Sequence, residues 1–110
     1  MGYNTRYEVD ATGFNEGDEA EYFLFKLNRA TNYGFGGNAS NGSVHLETDE
    51  IKWYEWKKDL TDLSKHFPHA TIDVEGRGEE SGDMWKARIR NGQSEVVNAI
   101  MTFPDFKELV

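Results

Sequence analysis

Carboxylates are the commonest charged groups in this chain, and they are unevenly spread. Five of them, Asp73, Glu75, Glu79, Glu80 and Asp83, fall within eleven residues that contain a single base, Arg77. Such crowding suits a hard cation, which takes several carboxylate oxygens, or a basic surface on another protein. The spacing does not follow an EF-hand loop, so an exposed acidic turn without metal is expected. Lys86, Arg88 and Arg90 come next with no acid among them. Two smaller acidic groups stand earlier in the chain: Asp18, Glu19 and Glu21, then Glu47, Asp49 and Glu50.

Other chemistry is poorly supplied. His45, His66 and His69 are too scattered for a zinc set, and the last two flank Phe67-Pro68, where a proline stops a helix and separates them. There is no cysteine, hence no thiolate ligand, disulfide or thiol nucleophile. Ser64, Ser81 and Ser94 lack the strand-turn-helix elbow that exposes a serine nucleophile. Gly34-Phe35-Gly36-Gly37 has the form of a GxxG loop. No lysine or arginine lies between Arg29 and Lys52 to hold a nucleic-acid backbone, however, and no Gly-Lys-Ser/Thr follows to cradle phosphate. No catalytic set, metal or cofactor is expected. Tyr33 and Phe35, in this glycine-rich stretch, are expected to face solvent as interface anchors.

These groups need a scaffold. Tyr3 to Ala11 alternates, with Tyr3, Thr5, Tyr7, Val9 and Ala11 on one side and Asn4, Arg6, Glu8 and Asp10 on the other, the period of a half-buried strand. Asp18 to Ala30 carries an apolar helical stripe of Ala20, Phe23, Leu24, Leu27 and Ala30, with Asn15 or Asp18 as N-cap. Residues 31–42 hold four glycines and read as a flexible loop. A short strand resumes over 43–46. Trp53, Trp56, Leu60, Leu63 and Phe67 share one face of a second helix, which Pro68 ends. Strands are expected over 71–77 and 84–90, and Asn91-Gly92 turns the chain into 93–103 as a type I′ hairpin.

The order is read as β-α-β-α-β-β. The economical packing is one α+β domain over 1–110, a sandwich of two helices on one face of a four-stranded, mainly antiparallel sheet, ferredoxin-like in general form. The other face carries Arg6, Glu8, Asp10, Asp73, Glu75, Lys86, Arg88 and Arg90 as a solvated surface with cross-strand pairs.

Composition narrows the partner. A length of 110 residues fits one domain, and 15 aromatic residues supply large bodies for its core. The net charge of −8 opposes direct binding to nucleic acid or to an anionic membrane, and favours a protein with a basic surface. No run approaches the roughly 18 apolar residues of a membrane span. The absence of cysteine fits a reducing cytoplasm.

Several motifs together resemble a family of small, largely uncharacterised bacteriophage proteins. They are Tyr3-Asn4-Thr5 at the start, Ile51-Lys52-Trp53 before a helix, then Gly78-Glu79-Glu80, Gly82-Asp83 with Trp85, and Asn91-Gly92, in that order. The resemblance covers the N-terminus and the second half, and little of residues 31–42 or of the last strand. It implies a phage source, an α/β sandwich and residence in the host bacterial cytoplasm. Small acidic phage proteins often inhibit host defence, anti-CRISPR proteins among them, so the expected function is inhibition of a host nucleic-acid-handling complex by mimicry of nucleic-acid charge, without catalysis. The expected contact residues are Asp18, Glu19, Glu21, Glu47, Asp49, Glu50, Glu79, Glu80 and Asp83, with Tyr33 and Phe35. A different class of function, sequestration of a nucleotide or other small signal between the glycine-rich loop and the sheet, is the alternative.

Overall fold

The computed structural model describes residues 4–15, 18–80 and 82–98. The first strand, β1 (Thr5–Thr12), follows the alternation: Thr5, Tyr7, Val9 and Ala11 are buried, and the residues between them lie on the opposite face. Tyr3 lies outside the described residues. In chain order there follow α1 (Glu19–Thr31), β2 (Gly37–Ser40), β3 (Ser43–Glu47), α2 (Trp56–Ser64), β4 (Thr71–Gly78), β5 (Met84–Arg90) and β6 (Gln93–Asn98). The strands form one open antiparallel sheet in the order β2-β3-β1-β4-β5-β6. The first six elements thus run β-α-β-β-α-β with β1 between β3 and β4, the connectivity of a split β-α-β unit. β5 and β6 extend the sheet beyond β4.

The α+β class holds, but among the described residues the sheet has six strands rather than four. The strands read over 71–77, 84–90 and from 93 are present as β4, β5 and β6, although the order β-α-β-α-β-β counted only two of them. The stretch expected to be a flexible loop, 31–42, contains β2, which pairs with β3 through Asn41-Gly42. Asn41 (φ 52°) and Gly42 (φ 76°) both take left-handed backbone angles, as do Asn91 (φ 47°) and Gly92 (φ 79°). Both pairs therefore make two-residue turns whose twist suits a hairpin. The last strand is described only to Asn98, so its expected extension to Phe103 lies outside the described residues.

Both helices cover the same face. From α1, Ala20, Phe23 and Leu27 are buried; from α2, Leu60 and Leu63; from the sheet, Val9, Val44, Leu46, Ile72, Val74 and Ile89. Ala30 stays exposed at the edge of the α1 stripe. The second helix begins at Trp56, later than the apolar spacing implies. The reason is upstream: Ile51 bridges Thr5 in both backbone directions (2.8 and 3.0 Å), which holds the chain extended there. Trp53 is 2% exposed without being helical. Its carbonyl accepts the Tyr7 hydroxyl (2.8 Å), and its indole N–H donates to Asp59 (2.8 Å).

Trp85 shows why β4 needs a glycine. It stands opposite Gly76, stacks on Trp56 with ring centroids 4.2 Å apart, and meets Tyr7 edge-on at 5.9 Å. A Cβ on Gly76 would lie 2.1 Å from the Trp85 ring. Gly76 thus makes room for an indole in mid-strand. Gly78 likewise belongs to β4, and Gly82, in the turn itself, has a positive φ of 85°.

Candidate functional site

β1 decides which acids meet. Its first residue, Thr5, pairs with Gly78 on one side and Ile51 on the other. Glu79 and Glu50, neighbours of those two residues, therefore flank the same end of β1, two strand spacings or about 10 Å apart. The loop after β3 is tied down there: the Thr48 N–H donates to the Tyr7 carbonyl (2.9 Å), and the Tyr7 N–H donates to the Thr48 hydroxyl (3.0 Å). Across β1, Glu79 accepts the Asn4 N–H (3.0 Å). The turn from Gly78 to Met84 is closed by backbone bonds from Gly78 N–H to Asp83 O (2.8 Å) and from Asp83 N–H to Glu80 O (3.1 Å). Two acidic groups some thirty residues apart in sequence, Glu47, Asp49, Glu50 and Glu79, Glu80, Asp83, are thus gathered at one end of the sheet. Glu47, Asp49, Glu50, Glu79 and Glu80 are exposed, and Asp83 is half-buried.

The third acidic group is elsewhere. Asp18, Glu19 and Glu21 begin α1 beside the other end of β1, about 23 Å away along an eight-residue strand. Glu19 is held within the fold. Its carboxylate contacts His69 and accepts the N–H (3.2 Å) and side-chain amide (3.2 Å) of Asn15. Partial burial pushes its pKa up, but these bonds outweigh that and hold it below the ordinary glutamate value. Asp18 occupies the N-cap position of α1, but its side chain makes no capping bond, and Glu19 reaches back to Asn15 instead.

Tyr33 is exposed as expected, whereas Phe35 departs from the expected solvent-facing anchor. Phe35 packs on Trp53 at 5.0 Å and joins the edge of the core. Asn28 clamps its backbone, donating to the Phe35 carbonyl (2.9 Å) and accepting its N–H. Tyr33 stacks on Phe35 at 5.3 Å and donates to the Lys52 carbonyl (3.1 Å), leaving the residue 44% exposed. The two aromatics close the glycine-rich segment onto the domain because Trp53 offers an apolar face there. Only Tyr33 of the two retains a substantial exposed surface beside the acidic end.

The helix-free sheet face is charged as expected, but its charges are sorted by strand. Glu8 faces Glu75 and Asp10 faces Asp73 across β1 and β4, while Lys86 and Arg88 lie on β5. Like charges directly opposite are unfavourable. Arg88 offsets one such pair by bonding Asp73 (2.7 Å), and Arg77 approaches Glu75 (3.6 Å). A shallow concavity of about 460 Å³ runs over Glu8, Asp10, Asp73, Glu75, Lys86 and Arg88.

His45 completes this face. It lies opposite Asp10, with Nδ1 2.5 Å from that carboxylate and Nε2 3.7 Å from Glu47. The bond to Asp10, with the charges of Asp10, Glu47 and Glu8, holds the imidazole pKa above its ordinary value against the opposing effect of desolvation. Sequence reading missed this grouping. Glu8 and Asp10 were legible as outward residues, but His45 joins them only through the β1–β3 register.

No family model, curated protein or solved structure matched the chain. Among the described residues no helix is long and apolar enough to cross a membrane.

Proposed function

We propose that this protein is an acidic binding protein, of phage origin, that inhibits a host defence or nucleic-acid-handling complex in the manner of an anti-CRISPR protein. It acts by occupying a basic surface in the host cytoplasm, not by catalysis. The observation that carries this reading is the convergence of Glu47, Asp49, Glu50, Glu79, Glu80 and Asp83 at one end of the sheet, on a chain of net charge −8. Among the described residues, the bases of that end are Lys52, Arg6 and Arg77, and Arg77 is turned towards Glu75. Glu47 ends β3, and the other carboxylates stand on loops held by backbone hydrogen bonds, so little ordering is needed on contact. Their field steers a basic partner to this end, and desolvated charge pairs there set specificity.

The test has two stages. The tagged full chain is used to capture host proteins at low and at physiological salt. The captured protein is then assayed for binding of labelled nucleic acid with increasing amounts of the chain. Retention of a nucleic-acid-binding protein whose nucleic acid the chain displaces is the expected result. Retention of nothing at either salt, or a captured protein that keeps its nucleic acid at saturating chain, would refute the proposal.

A further inference from the structure

A separate corner of the helix-free face has the donors of a metal site. Glu8 and Asp10 are two apart on β1 and so project from the same face, and the register sets His45 directly opposite Asp10. One donor atom from each of the three lies within 4.8 Å of the other two. Glu47, opposite Glu8, brings a fourth donor near the imidazole. Beyond β1, Glu75 and Asp73 stand opposite Glu8 and Asp10, so two rows of like charge run into this corner. Arg77 and Arg88 are engaged with Glu75 and Asp73, and among the described residues no lysine or arginine pairs with Glu8.

We propose that Glu8, Asp10 and His45 bind one divalent transition-metal ion, with water or Glu47 in the remaining positions. The imidazole decides the class of ion: hard Ca²⁺ and Mg²⁺ take oxygen donors, whereas Zn²⁺ accepts imidazole and carboxylate together. Zinc bonds of about 2.0–2.2 Å place tetrahedral ligand atoms about 3.3 Å apart. Half-exposed side chains on two hydrogen-bonded strands reach that spacing by rotamer adjustment, without backbone movement. The Asp10–His45 hydrogen bond is exchanged for two coordinate bonds, and a protonated ring releases its proton to solvent. The bound ion also relieves the repulsion of Glu8 with Glu75 and of Asp10 with Asp73. This site shares Glu47 with the docking reading but requires none of its other acids, Asp49, Glu50, Glu79, Glu80 or Asp83.

Untagged full-length protein, treated with EDTA and desalted, is titrated calorimetrically with ZnCl₂ at about pH 7.5, where metal competes with few protons. MgCl₂ is titrated in parallel, and the histidine ring resonances are followed by NMR. Saturable one-to-one Zn²⁺ binding is expected, with the His45 signals shifted and those of His66 and His69 unmoved. His45→Ala and Asp10→Asn should each weaken binding by more than about tenfold, while Glu79→Gln, at the acidic end, leaves it unchanged. Absence of saturable binding, Mg²⁺ bound as tightly as Zn²⁺, perturbation of His66 or His69 in place of His45, or full affinity in both variants would overturn the site. Should Asp10→Asn fail to fold, His45→Ala carries the test, because the His45 side chain is 43% exposed.

Discussion

Replacing Gly76 by alanine probes the packing that places the β4–β5 turn. The added Cβ would lie 2.1, 2.2 and 2.6 Å from Cε2, Cζ2 and Nε1 of Trp85, far inside van der Waals contact. The indole has little room to yield, since it lies between Trp56, stacked at 4.2 Å, and Tyr7. Overpacking of this kind costs about 1–3 kcal/mol, and loss of an aromatic stack adds about 1 kcal/mol. The lower entropy of the unfolded alanine chain returns about 0.4–1 kcal/mol. The net effect is a destabilisation of about 2 kcal/mol, or a fall in Tm of roughly 8 °C for a domain of this size. Thermal unfolding by far-UV circular dichroism measures it, and the near-UV spectrum should lose the signal of the coupled Trp56 and Trp85 rings. Trp85→Leu removes the clash partner, so it should cost far less in the Gly76→Ala background than in the native protein. A Tm for Gly76→Ala at or above that of the native protein would refute this packing, as would strict additivity of the two changes.

Joint charge reversal of Glu79 and Glu80 should abolish partner capture while shifting stability by no more than about 1 kcal/mol, the usual scale for exposed charges; a large fall in Tm would identify the pair as structural. Ser64→Ala, at a buried side chain that donates to the Thr61 carbonyl (2.6 Å) and accepts the Gly92 N–H (2.8 Å), leaves that N–H without its partner and should cost about 1–3 kcal/mol in urea unfolding. Burial pushes the Tyr7 hydroxyl up to about 12, against an opposing hydrogen bond with Thr5. Its folded-state pKa is therefore above its unfolded value near 10, so its contribution is complete below pH 10 and is lost as pH rises towards about 12. Tyr7→Phe should flatten that alkaline decline in a pH series of melts, and should lower stability at neutral pH because the Trp53 carbonyl loses its donor. Asn41→Ala and Asn91→Ala each force alanine into a left-handed angle and should cost about 1–2 kcal/mol, read as a lowered Tm.

Much of the scaffold was written locally. The alternation of Thr5 to Ala11, the stripe of Ala20, Phe23 and Leu27, and the Asn91-Gly92 turn gave β1, α1 and the last hairpin because each depends on near neighbours. The same turn signal stood at Asn41-Gly42, and reading it would have recovered β2. The surrounding glycines instead suggested a loop, though Phe35 and Trp53 close that segment on the domain. The start of α2 failed for a different reason. Apolar spacing placed Trp53 on the helix, whereas the Thr5–Ile51 bridge keeps that stretch extended and still buries the indole.

Sequence by itself determined the chemistry available: many carboxylates, few histidines, no thiol, and outward positions for Glu8, Asp10, Asp73 and Glu75. Tertiary structure alone decided which of them meet. Strand order set β1 between β3 and β4, which joined Glu47, Asp49 and Glu50 to Glu79, Glu80 and Asp83 and left Asp18, Glu19 and Glu21 at the far end. Register then placed His45 opposite Asp10, and Glu75 opposite Glu8. A strand's own period fixes the face on which a side chain lies, but its neighbours across the sheet are fixed by pairing with distant segments, to which local spacing is blind.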